Sequence, residues 1–489
     1  MKAKSLNEHV NEIKDVKDEV VLHPMFQVKS FAWAIVGLAF VLMFIENFLQ
    51  MESLVGGWHI VAYLLVLVPL AYMAINKQLD NHYVKWFLPL LVIMIVDMFY
   101  YSNDMVQYVL PIVFFALVIV LYWTSMHRVH SLYQTLIPAS FLDTFGISHL
   151  SQFFDNLLIK KQESDIYKRI GLALLITVPF LVVFVALLFA ADERFANFLT
   201  SLIDFNFDFE ITYLWTVPWY LFFYLVLFIA TFSMKTDRTK VRETQAFDML
   251  IVGIFLGMIN LLFLMFVSMQ LGFLLGEPNL PENTSLAEFA REGFFQLMMV
   301  MSLVLLIFIF IMRRYKNEKV AMFLLAGLLV QTILMGLVSL KKMYLYQSIK
   351  GATVLRYYVE WFDYFLITIL VIGLVFLVRQ WVFRKLLDVI VIVGLLSFTL
   401  VVSLNIDAMV ASHNIEKFKE NPEELDRRAI SYLSIDALEA IQGTDLTIEY
   451  SKKRWCEKFS NYHLGYCSKL NKFGDAQYQF EKEKRYEIR

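Results

Sequence analysis

Charged residues are scarce in this sequence. Asp, Glu, Lys and Arg make up 18% of its 489 residues, hydrophobic residues make up 59%, and the mean hydropathy is +0.59. A soluble domain has about 25% charged residues. Because apolar runs of about 20 residues, the length of a membrane span, recur along most of the chain, one core cannot bury this excess. The composition excludes a soluble globular enzyme, and the net charge of −2 argues against nucleic acid as a partner.

The common catalytic and nucleotide-binding motifs are also missing from the sequence. It contains no GxxxxGK[ST], GxGxxG, HExxH or GxSxG pattern. Nothing therefore indicates a P-loop, a dinucleotide fold, a zinc protease or a serine hydrolase, and we expect no cofactor and no metal site.

Long apolar segments are what the sequence does contain, and a bilayer-spanning helix needs about 20 such residues. They predict an all-α polytopic transmembrane bundle of about eleven spans, over residues 31–404. The predicted spans are Phe31–Leu49, Trp58–Ile75, Trp86–Tyr101, Val106–Trp123, Ile170–Ala191, Tyr213–Phe232, Met249–Leu274, Phe294–Met312, Val320–Leu340, Phe362–Val378 and Leu387–Leu404.

The distribution of Lys and Arg predicts the orientation of these spans. With the N-terminus inside, the inside segments carry 23 of these cations and the outside loops carry 6. We expect residues 1–30 and a long loop over residues 124–169 to be cytoplasmic. No cleavable signal peptide is evident before the first span. The odd number of spans then places a small, mostly helical tail, residues 405–489, outside the cell.

Cysteine is nearly absent, and its position is informative. The chain has two cysteines, Cys456 and Cys467, and both lie in the tail. An extracytoplasmic tail permits a disulfide between them. The alternative is a pair of free thiols.

Two acidic residues inside predicted spans are candidate functional groups, because ionisable residues are costly in a membrane. Glu46 lies near the outer end of the first span, and Asp97 lies in the third. Either carboxylate could instead reach water at the interface.

The predicted outside loops suggest a polar cap. Two loops are acidic, and the loop Lys341–Trp361 departs from the charge rule with four cations. Pairing between these loops would reduce the cost of that departure, although independently solvated charges are an equal alternative. The candidate cap residues are Asp192, Glu288, Arg291, Lys342, Arg356 and Glu360. Glu288 and Arg291 can also pair locally on one helix.

Several stretches in these regions resemble a family of bacterial multi-pass membrane proteins described as domain of unknown function 4173. The similar stretches are Ala191-Asp192-Glu193-Arg194-Phe195-Ala196, Asn260-Leu261-Leu262-Phe263 with Phe266 and Gln270-Leu271, Ala287-Glu288-Phe289-Ala290-Arg291-Glu292-Gly293-Phe294, Lys342 to Tyr346 with Gly351, Thr353 and Arg356, and Tyr432-Leu433-Ser434-Ile435-Asp436-Ala437. The resemblance adds Tyr346 to the candidate cap. It implies a location in the bacterial inner membrane but no activity.

These features favour a non-enzymatic sensor, assembly factor or partner-binding protein that works at its outer face. Beyond the lipid bilayer, its expected partner is an envelope protein or a small ligand. The alternatives are a transporter or flippase, with Glu46 and Asp97 lining a path, and a membrane enzyme that uses the charged cap residues. The scarcity of buried charges and the absence of a detectable sequence repeat argue against a transporter. The absence of a base–nucleophile spacing argues against an enzyme.

Overall fold

The computed structural model describes most of the predicted bundle and part of the tail. The described residues are 34, 36–39, 41, 57–77, 79–125, 129–137, 165–202, 248–276, 289–290, 293–313, 318–448, 456 and 462–472. This part of the chain is helical and contains no strand.

The helices of the described residues follow one another along the chain. They are α1 Gly57–Ile75, α2 Val84–Tyr100, α3 Leu110–Thr124 (preceded by a π-helical turn, Met105–Val109), α4 Leu132–Leu136, α5 Ile166–Phe189, α6 Glu193–Leu202, α7 Met249–Leu275, α8 Phe294–Met312, α9 Lys319–Lys350, α10 Val354–Arg379, α11 Phe383–Val402, α12 Ile406–Lys417, α13 Arg427–Ser431 and α14 over residues 464–472.

Seven helices in the described residues are long and apolar enough to cross a membrane: α3 with its π-helical turn, α5 and α7 to α11. The prediction of about eleven spans is not confirmed. Two other predicted spans lie within the described residues but do not meet this criterion. Helix α1 is a shorter apolar helix, and α2 has 17 residues. At 1.5 Å per residue α2 rises about 25 Å, less than the ~30 Å of the hydrocarbon core. The predicted span Tyr213–Phe232 lies outside the described residues, as does most of Phe31–Leu49.

The predicted loop Lys341–Trp361 is mainly helical. Helix α9 continues to Lys350, and α10 begins at Val354. The turn between them uses Gly351, whose φ of +77° favours glycine. Thr353 then caps α10, because its side chain accepts a hydrogen bond from the Arg356 N–H. The prediction placed a loop here because hydropathy shows only where an apolar run ends. The helical hydrogen bonding of the backbone continues past that point.

Two apolar clusters organise the packing. The first joins α5, α7, α8, α9 and α10, in which α9 packs against α7, α8 and α10. Helix α9 approaches its neighbours closely at Gly336, where a Cβ atom would lie 2.7 Å from side-chain atoms of Ile367 and Met301. Small residues permit such approaches between membrane helices. The second cluster joins α1, α2 and α3 to the end of α11 and to the tail.

The ends of the long described helices form two faces. We call one end of the bundle the tail face, because the described residues 403–448 and 462–472 pack there. At this face α2, α5, α7, α9 and α11 end, and α3, α8 and α10 begin. At the opposite face, Arg169 at the start of α5 pairs with Asp248 before α7.

Candidate functional site

A buried ion pair lies at the tail face. The Lys342 Nζ of α9 is 3.6 Å from Asp192 Oδ2, and both side chains are 1% exposed. The same Nζ donates a hydrogen bond to the Ala191 carbonyl at 3.2 Å and lies 4.6 Å from the centre of the Phe289 ring. This cation is therefore held by a carboxylate, a backbone carbonyl and an aromatic face.

Asp192 has a second structural role at the start of α6. Its Oδ1 accepts hydrogen bonds from the backbone N–H groups of Arg194 at 3.0 Å and Phe195 at 3.2 Å. This is the position of a helix N-cap. The Arg194 Nε lies 3.6 Å from Oδ1, and the guanidinium lies 5.5 Å from the centre of the Phe289 ring. We refer to Ala191, Asp192, Arg194, Phe289 and Lys342 as the Lys342 cluster.

Gly293 allows α8 to start directly against this cluster. Its φ is +90°, and a Cβ atom at this position would lie 2.0 Å from the Ala191 carbonyl oxygen. No other residue fits here without moving the backbone. The close contact places the first turn of α8 beside the end of α5.

The neighbouring lysine has a different role. The Lys341 Nζ donates hydrogen bonds to the carbonyls of Phe273 at 2.6 Å and Gly276 at 2.7 Å, at the end of α7. A cation satisfies the free carbonyls at a helix C-terminus and interacts favourably with the helix dipole. Lys341 therefore ties α9 to the end of α7.

A second buried polar contact lies on the same helix, one turn before Lys342. Ser339 Oγ is 2.6 Å from Asp363 Oδ2 on α10 and 3.5 Å from the Phe294 carbonyl of α8. Ser339 and Asp363 are both fully buried.

The tail is attached to the helix ends through Asp436. Its Oδ2 accepts from the Ser102 N–H at 2.7 Å, at the α2–α3 connection, and its Oδ1 accepts from Lys469 Nζ at 2.6 Å. The Asn405 side chain, just before α12, donates to the Asp436 carbonyl at 2.8 Å. Asp436 is 1% exposed and is therefore a buried centre of the tail's polar contacts.

His463 fixes a further part of the tail. Its Nδ1 accepts the Tyr466 N–H at 3.1 Å, so Nε2 carries the proton of the neutral ring and donates to the Tyr101 carbonyl at 3.0 Å. Burial lowers the pKa of His463 to about 4. Burial also raises the pKa of Asp407, whose Oδ2 accepts from the Ser434 N–H at 2.8 Å. The structure joins Cys456 and Cys467 in a disulfide.

The predicted cap residues fall into separate contacts. Asp192 and Lys342 meet, and the Arg356 guanidinium lies 4.3 Å from the centre of the Tyr346 ring. Glu360 accepts a hydrogen bond from the Gln347 side chain at 3.2 Å. Glu288 and Arg291 lie outside the described residues.

The two predicted intramembrane acids are Glu46 and Asp97. Glu46 lies outside the described residues. Asp97 is 6% exposed and lies in the last turn of α2, where its Oδ2 accepts from Ser403 Oγ at 2.7 Å. The contact joins the end of α2 to the end of α11, beside the start of the tail.

Sequence reasoning missed several residues of the tail face, among them Asp363, Ser339 and Asn414. Asp363 lies one residue inside the predicted span Phe362–Val378, so an acid within an apolar run was a usable signal. Ser339 and Asn414 carried no comparable signal, because their partners are distant in sequence.

The architecture defines a class: a multi-pass helical membrane protein. The chain belongs to the family described as Domain of unknown function (DUF4153), whose model matches residues 32–443. The resemblance to domain of unknown function 4173 is therefore wrong, because the match is to a different domain. The similar stretches are short, and together they cover a small part of the chain. No curated protein matches the chain, and no solved structure matches it.

Proposed function

We propose that this protein is a non-enzymatic component of the bacterial cytoplasmic membrane that binds an envelope protein or a small ligand at its tail face. In this proposal the N-terminus is cytoplasmic and the tail is extracytoplasmic. The excess of Lys and Arg in the predicted inside segments supports the orientation. The disulfide between Cys456 and Cys467 also supports it, because disulfides persist in oxidising compartments.

One observation carries the proposal: the tail binds helix connections that belong to both groups of packed helices. Asp436 binds the α2–α3 connection at Ser102, and Asn414 of α12 binds the α9–α10 turn at Ala352. A ligand bound to the tail would therefore act on both groups of helices. This arrangement suits a sensor or an assembly factor, in which an event outside the membrane changes helix packing.

Two measurements test the proposal. Membrane-impermeant thiol labelling of single-cysteine variants tests the orientation, with reporter cysteines at Tyr432, 65% exposed in the tail, and at Tyr167, 79% exposed at the opposite face. We expect labelling of intact cells at position 432 and not at 167. The reverse result would contradict the orientation.

A photocrosslinking amino acid at the same two positions tests for a partner. We expect position 432 to give a crosslinked product of defined mass, and position 167 not to give it. The product should weaken in the Asn414→Ala variant, which loosens the tail. Crosslinks to lipid alone at position 432 would reject the partner-binding function.

A transporter or flippase is the second candidate function. The buried ionisable groups Lys342, Asp192 and Asp363 between helices favour it, because such groups mark ion and substrate pathways. The test is a flux assay in proteoliposomes. Substrate-dependent flux that is lost in the Lys342→Met variant would favour transport over partner binding.

A further inference from the structure

Asp363 lies where three helices meet. It belongs to α10, Ser339 belongs to α9, and Phe294 is the first residue of α8. The side chains of Phe294, Met343 and Val359 form a small buried apolar cluster at the same junction. Asp363 itself is 0% exposed. The carboxyl group is therefore removed from water in apolar surroundings, where an unpaired negative charge is strongly unfavourable.

The hydrogen-bond geometry distinguishes the two protonation states of Asp363. Ser339 Oγ has one hydrogen but lies near two oxygens, Asp363 Oδ2 at 2.6 Å and the Phe294 carbonyl at 3.5 Å. A carbonyl can only accept. If Asp363 is protonated, it donates to Ser339 Oγ, and the serine hydrogen is free to point to the Phe294 carbonyl. Each hydrogen then has an acceptor.

The ionised state leaves this junction poorly satisfied. A carboxylate has about four acceptor sites, yet Asp363 Oδ1 has no hydrogen-bond partner among the described residues. No lysine or arginine in this part of the chain forms an ion pair with it.

The charged groups around the junction do not compensate a negative charge there. On α10, Glu360 lies one turn away and adds a like charge. On α9, the Lys342 ammonium is bound to Asp192 and Ala191. From α8 the contact is a backbone carbonyl, which also repels an anion.

We infer that Asp363 is a proton-binding site. At neutral pH its carboxyl group holds a proton, which is stabilised by the hydrogen bonds from Asp363 to Ser339 and from Ser339 to the Phe294 carbonyl. The proton is released when the α8–α9–α10 junction separates. Loading adds one proton to the carboxylate, and release returns that proton to water. Because Asn414 of the tail binds Ala352 in the α9–α10 turn, separation of the junction is linked to the position of the tail. This site is a further property of the protein and does not depend on the proposed binding function.

Infrared spectroscopy of the purified full-length protein tests this inference. A protonated carboxylic acid has a C=O stretching band separate from that of a carboxylate. We expect the difference between wild type and Asp363→Asn at neutral pH to contain this band. The Asp192→Asn variant is the matched control, since Asp192 is ion-paired, and we expect its difference spectrum to show a carboxylate band. A carboxylate band for Asp363 would overturn the inference.

Thermal stability gives an independent test. The amide introduced by Asp363→Asn can donate to Ser339 Oγ as a protonated acid does, so we expect this variant to fold with an unchanged or raised melting temperature at neutral pH. Asp192→Asn should lower the melting temperature. A loss of folding in Asp363→Asn that matches or exceeds the loss in Asp192→Asn would show that position 363 requires a negative charge, and would overturn the proton-binding site.

Discussion

Asn414 holds Ala352 by both polar atoms of its side-chain amide. The Ala352 N–H donates to Asn414 Oδ1 at 2.7 Å, and Asn414 Nδ2 donates to the Ala352 carbonyl at 2.9 Å. Both groups are buried, and Ala352 lies in the turn between α9 and α10. This pair is a direct link between the tail and the helices that carry Lys342 and Asp363.

We predict that Asn414→Ala loosens the tail and destabilises the protein by at least about 2 kcal/mol, because it leaves two buried backbone groups without partners. The measurement is unfolding of the purified protein in detergent, together with protease sensitivity of the tail. The control is Asn76→Ala, which removes an exposed amide that binds within its own helix turn. Equal stability of the two variants would contradict this prediction.

The Lys342–Asp192 pair should be strongly coupled. Removing one member of a buried ion pair costs about 3–5 kcal/mol, so Lys342→Met and Asp192→Asn should each lower stability by a few kcal/mol. We expect the double variant to lose less than the sum of the single losses. Lys350→Met, at an exposed position on the same helix, should change stability little. Additive losses would mean that the two charges do not interact.

Gly293→Ala should prevent normal packing of α8 on α5. The added Cβ atom would lie 2.0 Å from the Ala191 carbonyl oxygen, and the positive φ is unfavourable for alanine. We expect greatly reduced accumulation of folded protein in membranes. In Gly253→Ala the Cβ atom meets nothing within 4 Å, so this variant should accumulate normally. Similar levels of both variants would show that the start of α8 can shift without cost.

His463 should make the protein less stable in acid. Its folded pKa of about 4 lies below the unfolded value of about 6.5, so the unfolded state binds more protons between these values. The contribution is complete above pH ~6.5 and is lost as the pH falls toward ~4. Protonation of Nδ1 also removes the acceptor for the Tyr466 N–H.

The pH dependence of the melting temperature checks this prediction. We expect His463→Gln to reduce the loss of stability between pH ~6.5 and ~4. His413→Gln, at an exposed histidine of α12, should leave the acid dependence as in wild type. An identical pH profile for wild type and His463→Gln would rule out His463 as the cause.

Two contacts show how far the candidate site could be predicted. Asp192 and Lys342 were placed in one cap because their loops carry opposite charges at the same predicted face, and their side chains lie 3.6 Å apart. Arg356 was placed in the same cap, and its guanidinium lies over the ring of Tyr346, another predicted cap residue, and not in the Lys342–Asp192 pair. Charge pattern indicates which groups can attract each other, whereas the rotation of each helix decides which of them touch.

The sequence by itself determined the all-helical membrane class, because an apolar run of about 20 residues has few alternatives to a spanning helix. It also indicated where most described helices lie. The tertiary structure decided which buried polar groups meet. Lys342 binds Ala191 across 151 positions, and Ser102 binds Asp436 across 334. Such pairs depend on how separate helices pack and on where the tail docks, and neither follows from the local pattern of any one segment.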